Sequence, residues 1–115
     1  MDSIYYIAII LVILFYYLFY YNVTKVYMFY GDHCGFCKEL KPQWELTKKE
    51  INGEMMGMGY KLYDIDTADT NNKKLVKTHK VVGVPYIVKV DVNGKSKVYT
   101  GPRKFKDITK WIQAK

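Results

Sequence analysis

Two cysteines in a chain of 115 residues are too few for a disulfide-stapled secreted scaffold, since small folds of that kind usually need two to four bridges. Histidine is equally scarce: only His33 and His79 could join Cys34 and Cys37 in a four-ligand zinc site, and His33, adjoining Cys34, can hardly share one tetrahedral ion with it. No metal and no cofactor are expected. Charge is missing from the start of the chain, where Asp2 is the single charged side chain before Lys25. No internal repeat or low-complexity tract follows, and the length leaves room for one small domain, not a large multidomain enzyme.

What the first segment has is an apolar run. Residues 4–21 contain no charge, glycine or proline, and as a helix they would rise roughly 27 Å, close to the thickness of a bilayer's hydrocarbon core. Tyr5 and Tyr6 flank its aliphatic centre on one side, and Tyr16, Tyr17, Tyr20 and Tyr21 on the other, as amphipathic rings do at membrane interfaces. The pattern predicts a transmembrane anchor over 1–24 and a domain over 25–115. A cleaved leader fits less well, lacking a basic start and a small-residue cleavage site. A buried helix would need more chain to wrap it than the remaining ~90 residues supply. Lys25, Lys38 and Lys41 follow the run, which favours the cytoplasmic side for the domain of a single-pass protein.

Residues 25–115 hold 18 basic and 10 acidic side chains. That excess would draw the domain toward anionic lipid; a solvated lysine face is the plainer alternative. The lysines are spread over every element instead of forming one stripe, so no nucleic-acid partner is expected. Phe, Tyr, Met, Ile, Asn and Lys make up 54 of the 115 residues, the bias of A/T-rich coding sequence, which fits large DNA viruses and several parasites; a viral origin would suit a virion membrane.

Along the domain, Val and aromatic content predicts strands at 25–30, 60–66 and 86–92, the last paired with 96–100 through Asn93-Gly94, a turn that asks for positive φ at both positions. Apolar residues at Leu40, Trp44 and Ile51 predict a helix after Cys37, kinked at Pro42 and stopped by Asn52-Gly53. A methionine-rich loop covers 53–59. A short helix runs through Leu75, Val76 and His79, and Phe105, Ile108 and Ile112 mark a last one. The order β-α-β-α-β-β-α implies a mixed sheet with helices on both faces.

Cys34-Gly35-Phe36-Cys37 stands directly after a strand and at the first turn of a helix. Free N–H groups and the dipole at a helix N-terminus favour an anion, so Cys34 should ionise more readily than a free thiol, while Cys37, one turn further in, should be buried. The asymmetry assigns attack on a substrate disulfide to Cys34 and resolution to Cys37.

The chain resembles the thioredoxin superfamily, and most of all protein disulfide isomerase domains. The family pattern C-G-x-C-K-x-x-x-P-x-[WY] is met by Cys34, Gly35, Cys37, Lys38, Pro42 and Trp44. Pro85 matches the family's cis-proline and Val84 the substrate-pairing residue before it; Gly101 matches the glycine after the last strand. The resemblance implies a reduced thioredoxin-like α/β fold, thiol–disulfide exchange with protein thiol or disulfide substrates and a redox partner, and a peptide groove beside the dithiol. Departures are clear. His33 replaces the usual Trp, and Phe36 the isomerase His that stabilises the thiolate, leaving His33 or Lys38 to act electrostatically; Met28 stands where relatives place a buried acid. A glutaredoxin is the weaker resemblance, because its monothiol members carry Ser where Cys37 stands. A redox-inactive binding or chaperone module is the alternative to an enzyme.

Overall fold

The computed structural model of the chain describes residues 2–21, 23–53 and 59–114. Helix α1 spans Asp2–Tyr21 and exposes its large apolar side chains from Ile4 to Leu18. Among the described residues no helix is long and apolar enough to cross a membrane; the side chains of α1 are described only as far as Leu18. The domain follows as β1 (Thr24–Tyr30), α2 (Gly35–Gly53), β2 (Tyr60–Asp66), a 3-10 turn (Thr70–Asn72), α3 (Lys73–Thr78), β3 (Tyr86–Val90), β4 (Ser96–Val98) and α4 (Phe105–Gln113). The methionines of the expected 53–59 loop lie outside the described residues.

The sheet is mixed, in the order β2-β1-β3-β4, with β1 parallel to β2 and the other pairs antiparallel. Alternation along β1 divides its side chains between two cores. Val26 and Met28 pack with Leu40, Trp44 and Ile51 of α2 and with Ile108 and Ile112 of α4. Phe29 packs on the opposite face with Ile65, Val88 and, from α3, Leu75 and Val76. The expected helices on both faces are therefore present, α2 and α4 on one and α3 on the other.

Helix α2 continues through Pro42, whose missing N–H removes one backbone bond without ending the helix. The strand at 86 stops at Val90, short of the expected Val92. The hairpin also differs from expectation, because only Gly94 has positive φ (84°), and the Asp91 carboxylate accepts the N–H groups of Asn93 and Lys95, each at 2.9 Å. Asp91 and Lys95 thus enclose a three-residue loop ending in a left-handed glycine, the form that needs positive φ once rather than twice.

Helix α4 has no side-chain cap of its own at Lys104. Other elements supply both ends: the Gln43 side chain of α2 accepts the Phe105 N–H at 2.9 Å, and Lys89 of β3 donates to the carbonyls of Trp111 (2.7 Å) and Ala114 (2.9 Å). A cation at a helix C-terminus opposes the dipole's negative end. Burial, and after it the charge of Lys97, pushes the Lys89 ammonium below the usual lysine range, yet it stays bonded to the helix and lies 4.8 Å from the Trp111 ring.

Replacing Gln43 by Ala leaves the Phe105 N–H to water and should cost about 1 kcal/mol, a fall of roughly 4–8 °C in melting temperature. His79 gives a pH dependence. Its ring lies 5.4 Å from Tyr27 and 5.9 Å from Phe29, and burial lowers its pKa from 6.5. The unfolded chain therefore takes up the proton first, and stability falls as pH drops from about 6.5 through the folded value. Thermal melts between pH 7.5 and 5 should show a smaller fall for His79→Gln than for the parent chain.

Candidate active site

β1 ends at Tyr30, and residues 31–33 turn the chain into α2, with His33 in the left-handed region at φ 61°. That bend makes Cys34 the N-terminal cap of the helix. Its carbonyl accepts the Lys38 N–H at 3.2 Å, and its sulfur accepts the Cys37 N–H at 3.1 Å, the place where an Asp or Ser oxygen caps other helices. Cys34 and Cys37 are joined in a disulfide with their Cα atoms 5.2 Å apart. Cys34 is half-buried and Cys37 only 7% exposed, the asymmetry expected from their places in the helix.

Fifty residues along the chain, the Val84–Pro85 peptide is cis and the Val84 carbonyl oxygen lies 3.7 Å from the Cys34 sulfur. Beyond Pro85 a groove of about 340 Å³ is lined by Leu40, Ile87, Tyr99 and residues 100–103. Gly101 belongs to this groove and is also a packing necessity: a Cβ there would come 2.7 Å from the Tyr99 hydroxyl oxygen. Tyr99 donates its hydroxyl to the Pro102 carbonyl and packs on Trp111, ring centroids 5.1 Å apart.

On the other side of the dithiol a second cavity, about 240 Å³, is bordered by Met28, Tyr30, Asp32, His33, Cys37, Lys38, Lys41 and Asp64. Burial first, then the charges of Asp66, Asp64, Asp32 and Asp69, raises the Tyr30 phenol above its usual pKa, so this rim keeps a neutral hydroxyl. Among the described residues no group of His, Cys, Asp and Glu side chains is arranged to hold a metal ion.

The structure thus gathers the residues singled out from sequence. His33, Gly35, Phe36 and Lys38 flank the two cysteines along the chain, Val84 lies across from Cys34, and Pro85 and Gly101 line the groove beyond. Two further residues escaped the sequence reading. Arg103, the one arginine of the chain, lies over the exposed Phe36 ring with its guanidinium carbon 4.7 Å from the centroid. Asp64 lies on β2 directly beside Met28. Its signal was available, because Tyr60 and Leu62 point to the α2 face and an acid follows two positions later, where period-two alternation asks for an apolar residue.

Thiol chemistry at the start of α2, a cis-proline across from it and a mixed four-stranded sheet define a thioredoxin-like domain. The Thioredoxin family profile matches residues 19–114, and the chain belongs to that family. It is 30% identical over 87 residues to Protein disulfide isomerase-like 1-1 of Arabidopsis thaliana, covering 74% of this chain and 17% of that protein. To Protein disulfide-isomerase A6 of Homo sapiens it is 36% identical over 81 residues, 70% of this chain and 18% of the other. The chain therefore spans less than a fifth of the length of these relatives. Among solved structures, the first two thioredoxin domains of Naumovozyma dairenensis Eps1p superpose with a TM-score of 0.67 at 25% identity, over 79% of this chain and 34% of that one. The first thioredoxin domain of mouse Protein disulfide-isomerase A4 gives 0.66 at 23% identity, over 78% and 61% respectively, and shares the fold.

Gly101→Ala should push the Tyr99 ring off Trp111 and cost about 1–3 kcal/mol, the usual penalty of overpacking. Urea denaturation followed by Trp fluorescence measures it.

Proposed function

We propose that the chain is a thiol–disulfide oxidoreductase acting on protein disulfides, tethered to a membrane by α1. The observation that carries the redox reading is the Cys37 N–H directed at the Cys34 sulfur from the first turn of α2. A thiolate at Cys34 would keep that bond and gain the favourable end of the helix dipole. In the reduced chain, Cys34 attacks a substrate disulfide, a mixed disulfide forms and the first substrate thiolate leaves. Cys37 then attacks the Cys34 sulfur, closing the Cys34–Cys37 bridge and releasing the second substrate thiolate. Two electrons pass from the dithiol to the substrate, and the reverse sequence oxidises a substrate dithiol. Val84 offers its carbonyl to the backbone of a bound peptide, and Pro85, Gly101 and Phe36 form the walls against which the peptide lies. The Lys38 ammonium, in the first turn of α2, supplies positive charge near the sulfur in place of the isomerase histidine, with His33 on the rim beside it.

The tether rests on the uncharged run at 4–21, the twenty-residue α1, and the outward exposure of its aliphatic and aromatic side chains. Confinement to a surface raises the local concentration of substrates in the same membrane.

After reduction, iodoacetamide should modify Cys34 first, with a pH midpoint below 8.5, the value of a free thiol. Cys34→Ser should abolish reduction of a peptide disulfide, and Cys37→Ser should accumulate the mixed disulfide, detectable by mass. Full activity in Cys34→Ser would instead make the chain a redox-inactive binding module. For the tether, the parent chain should stay with membranes in alkaline carbonate, and Leu11→Lys, costing about 3 kcal/mol at the bilayer centre, should release it. Carbonate extraction of the parent chain would overturn the anchor alone.

A further inference from the structure

A buried thiol that must become a nucleophile needs a place to send its proton. Cys37 is such a group, and the route out of its pocket is the 240 Å³ cavity on the β2 side, which has room for water. Two carboxylates border that cavity. Asp32 is exposed in the 31–33 turn, whereas Asp64 is held in place: one oxygen accepts the Trp44 indole N–H at 2.5 Å and the other accepts the Lys48 ammonium at 3.0 Å. Lys48 also pairs with Glu45 at 2.9 Å. Burial works against its charge, but the bonds to Glu45 and Asp64 outweigh that and raise its pKa, so the cation persists. Each carboxylate oxygen of Asp64 still has a lone pair to offer. The β1–β2 register sets Asp64 beside Met28, so the inward position on β1 carries a thioether and a carboxylate stands one strand over.

We propose that Asp64 is the proton acceptor for Cys37, acting through water in this cavity during the second half of the exchange. The proposal rests on the oxidoreductase reading above. In the mixed disulfide, the Cys37 S–H proton passes to water and on to the Asp64 carboxylate as the Cys37 sulfur bonds to Cys34. The bond between Cys34 and the substrate sulfur breaks, and the departing thiolate takes up a proton from solvent. Asp64 then returns its own proton to solvent, so it is regenerated each cycle. In the oxidising direction the acid form gives the proton back to Cys37.

The test follows the two steps separately by stopped flow, using the reduced full chain and a peptide disulfide that releases a different chromophoric thiol in each. Asp64→Asn should leave the first release within twofold of the parent chain and slow the second at least tenfold at pH 7, a modest share of what general bases contribute. The gap should close toward pH 9.5, where hydroxide ionises Cys37 directly. Asp64→Glu, keeping the carboxylate, should retain most of the rate, and Asp32→Asn should behave as the parent. Should Asp64→Asn fail to fold, Asp64→Ser, which lets the Trp44 N–H bond water, carries the same comparison. An unchanged second step, a slowing equal at every pH, or an Asp64→Glu variant as slow as Asp64→Asn would overturn the proposal. Absence of the first step in the parent chain would instead overturn the oxidoreductase reading on which it stands.

Discussion

The domain depends on β1 having a hydrogen-bonded neighbour on each edge. A strand buried this deeply must pair its backbone groups, and β1 does so with β2 along its whole length and with β3 from Lys25 to Phe29, with Val26 and Phe29 fully buried. Because side chains alternate, both faces must be apolar, and helices must cover both. The same pairing builds the site. Phe29 is opposite Tyr86 in the antiparallel register, so the residues just after Phe29 and those just before Tyr86 end up at the same edge of the sheet. Chain leaving β1 leads to Cys34, and chain entering β3 carries Val84 and Pro85. A 3.7 Å contact between residues fifty apart is thus a consequence of strand register.

Elements whose stability is local were legible in the sequence. The Val and aromatic runs of β1 and β2 and the apolar spacing of α2 mark their places, and the dithiol at a helix start marks the site. Part of what escaped was supplied across the fold. The hairpin loop was misread because Asn-Gly fits a two-residue turn, while the deciding side chain is Asp91, which accepts two backbone N–H groups and lengthens the loop. Neither cap of α4 is written near it, since Gln43 lies 62 residues away and Lys89 belongs to a strand. Arg103 looks like one more surface cation until it is found over Phe36. For α4 and Arg103 the partner is distant in sequence and no local pattern can name it, whereas Asp91 acts on N–H groups only two and four residues away.

The two sulfurs are chemically identical and differ only in what surrounds them. Cys34 faces the Val84 carbonyl and receives an N–H from the helix, so it is the half-buried sulfur with an N–H in place. Cys37 is enclosed, with the groove lined by Pro85 and Gly101 on one side and a separate cavity, bordered by Asp32 and Asp64, at its own back. The Val84 side of the site thus reaches Cys34, and the β2 side reaches Cys37.

A parallel pair of strands sets neighbouring inward positions about 5 Å apart, so the cavity behind Cys37 can receive a carboxylate from either β1 or β2. The two positions are not equivalent in cost. At 28, a side chain 3% exposed belongs to the same apolar cluster as Leu40 and Trp44, and an ionised acid there would have to be desolvated almost completely. At 64 the side chain keeps about a third of its exposure and meets an indole N–H and an ammonium from α2. The charge can therefore persist at 64 with far less desolvation, while Met28 seals the core beneath it. Trp44 joins the two sites, packing in the cluster that holds Met28 while its N–H bonds Asp64, so the packing of the core and the placement of the carboxylate are fixed by one side chain.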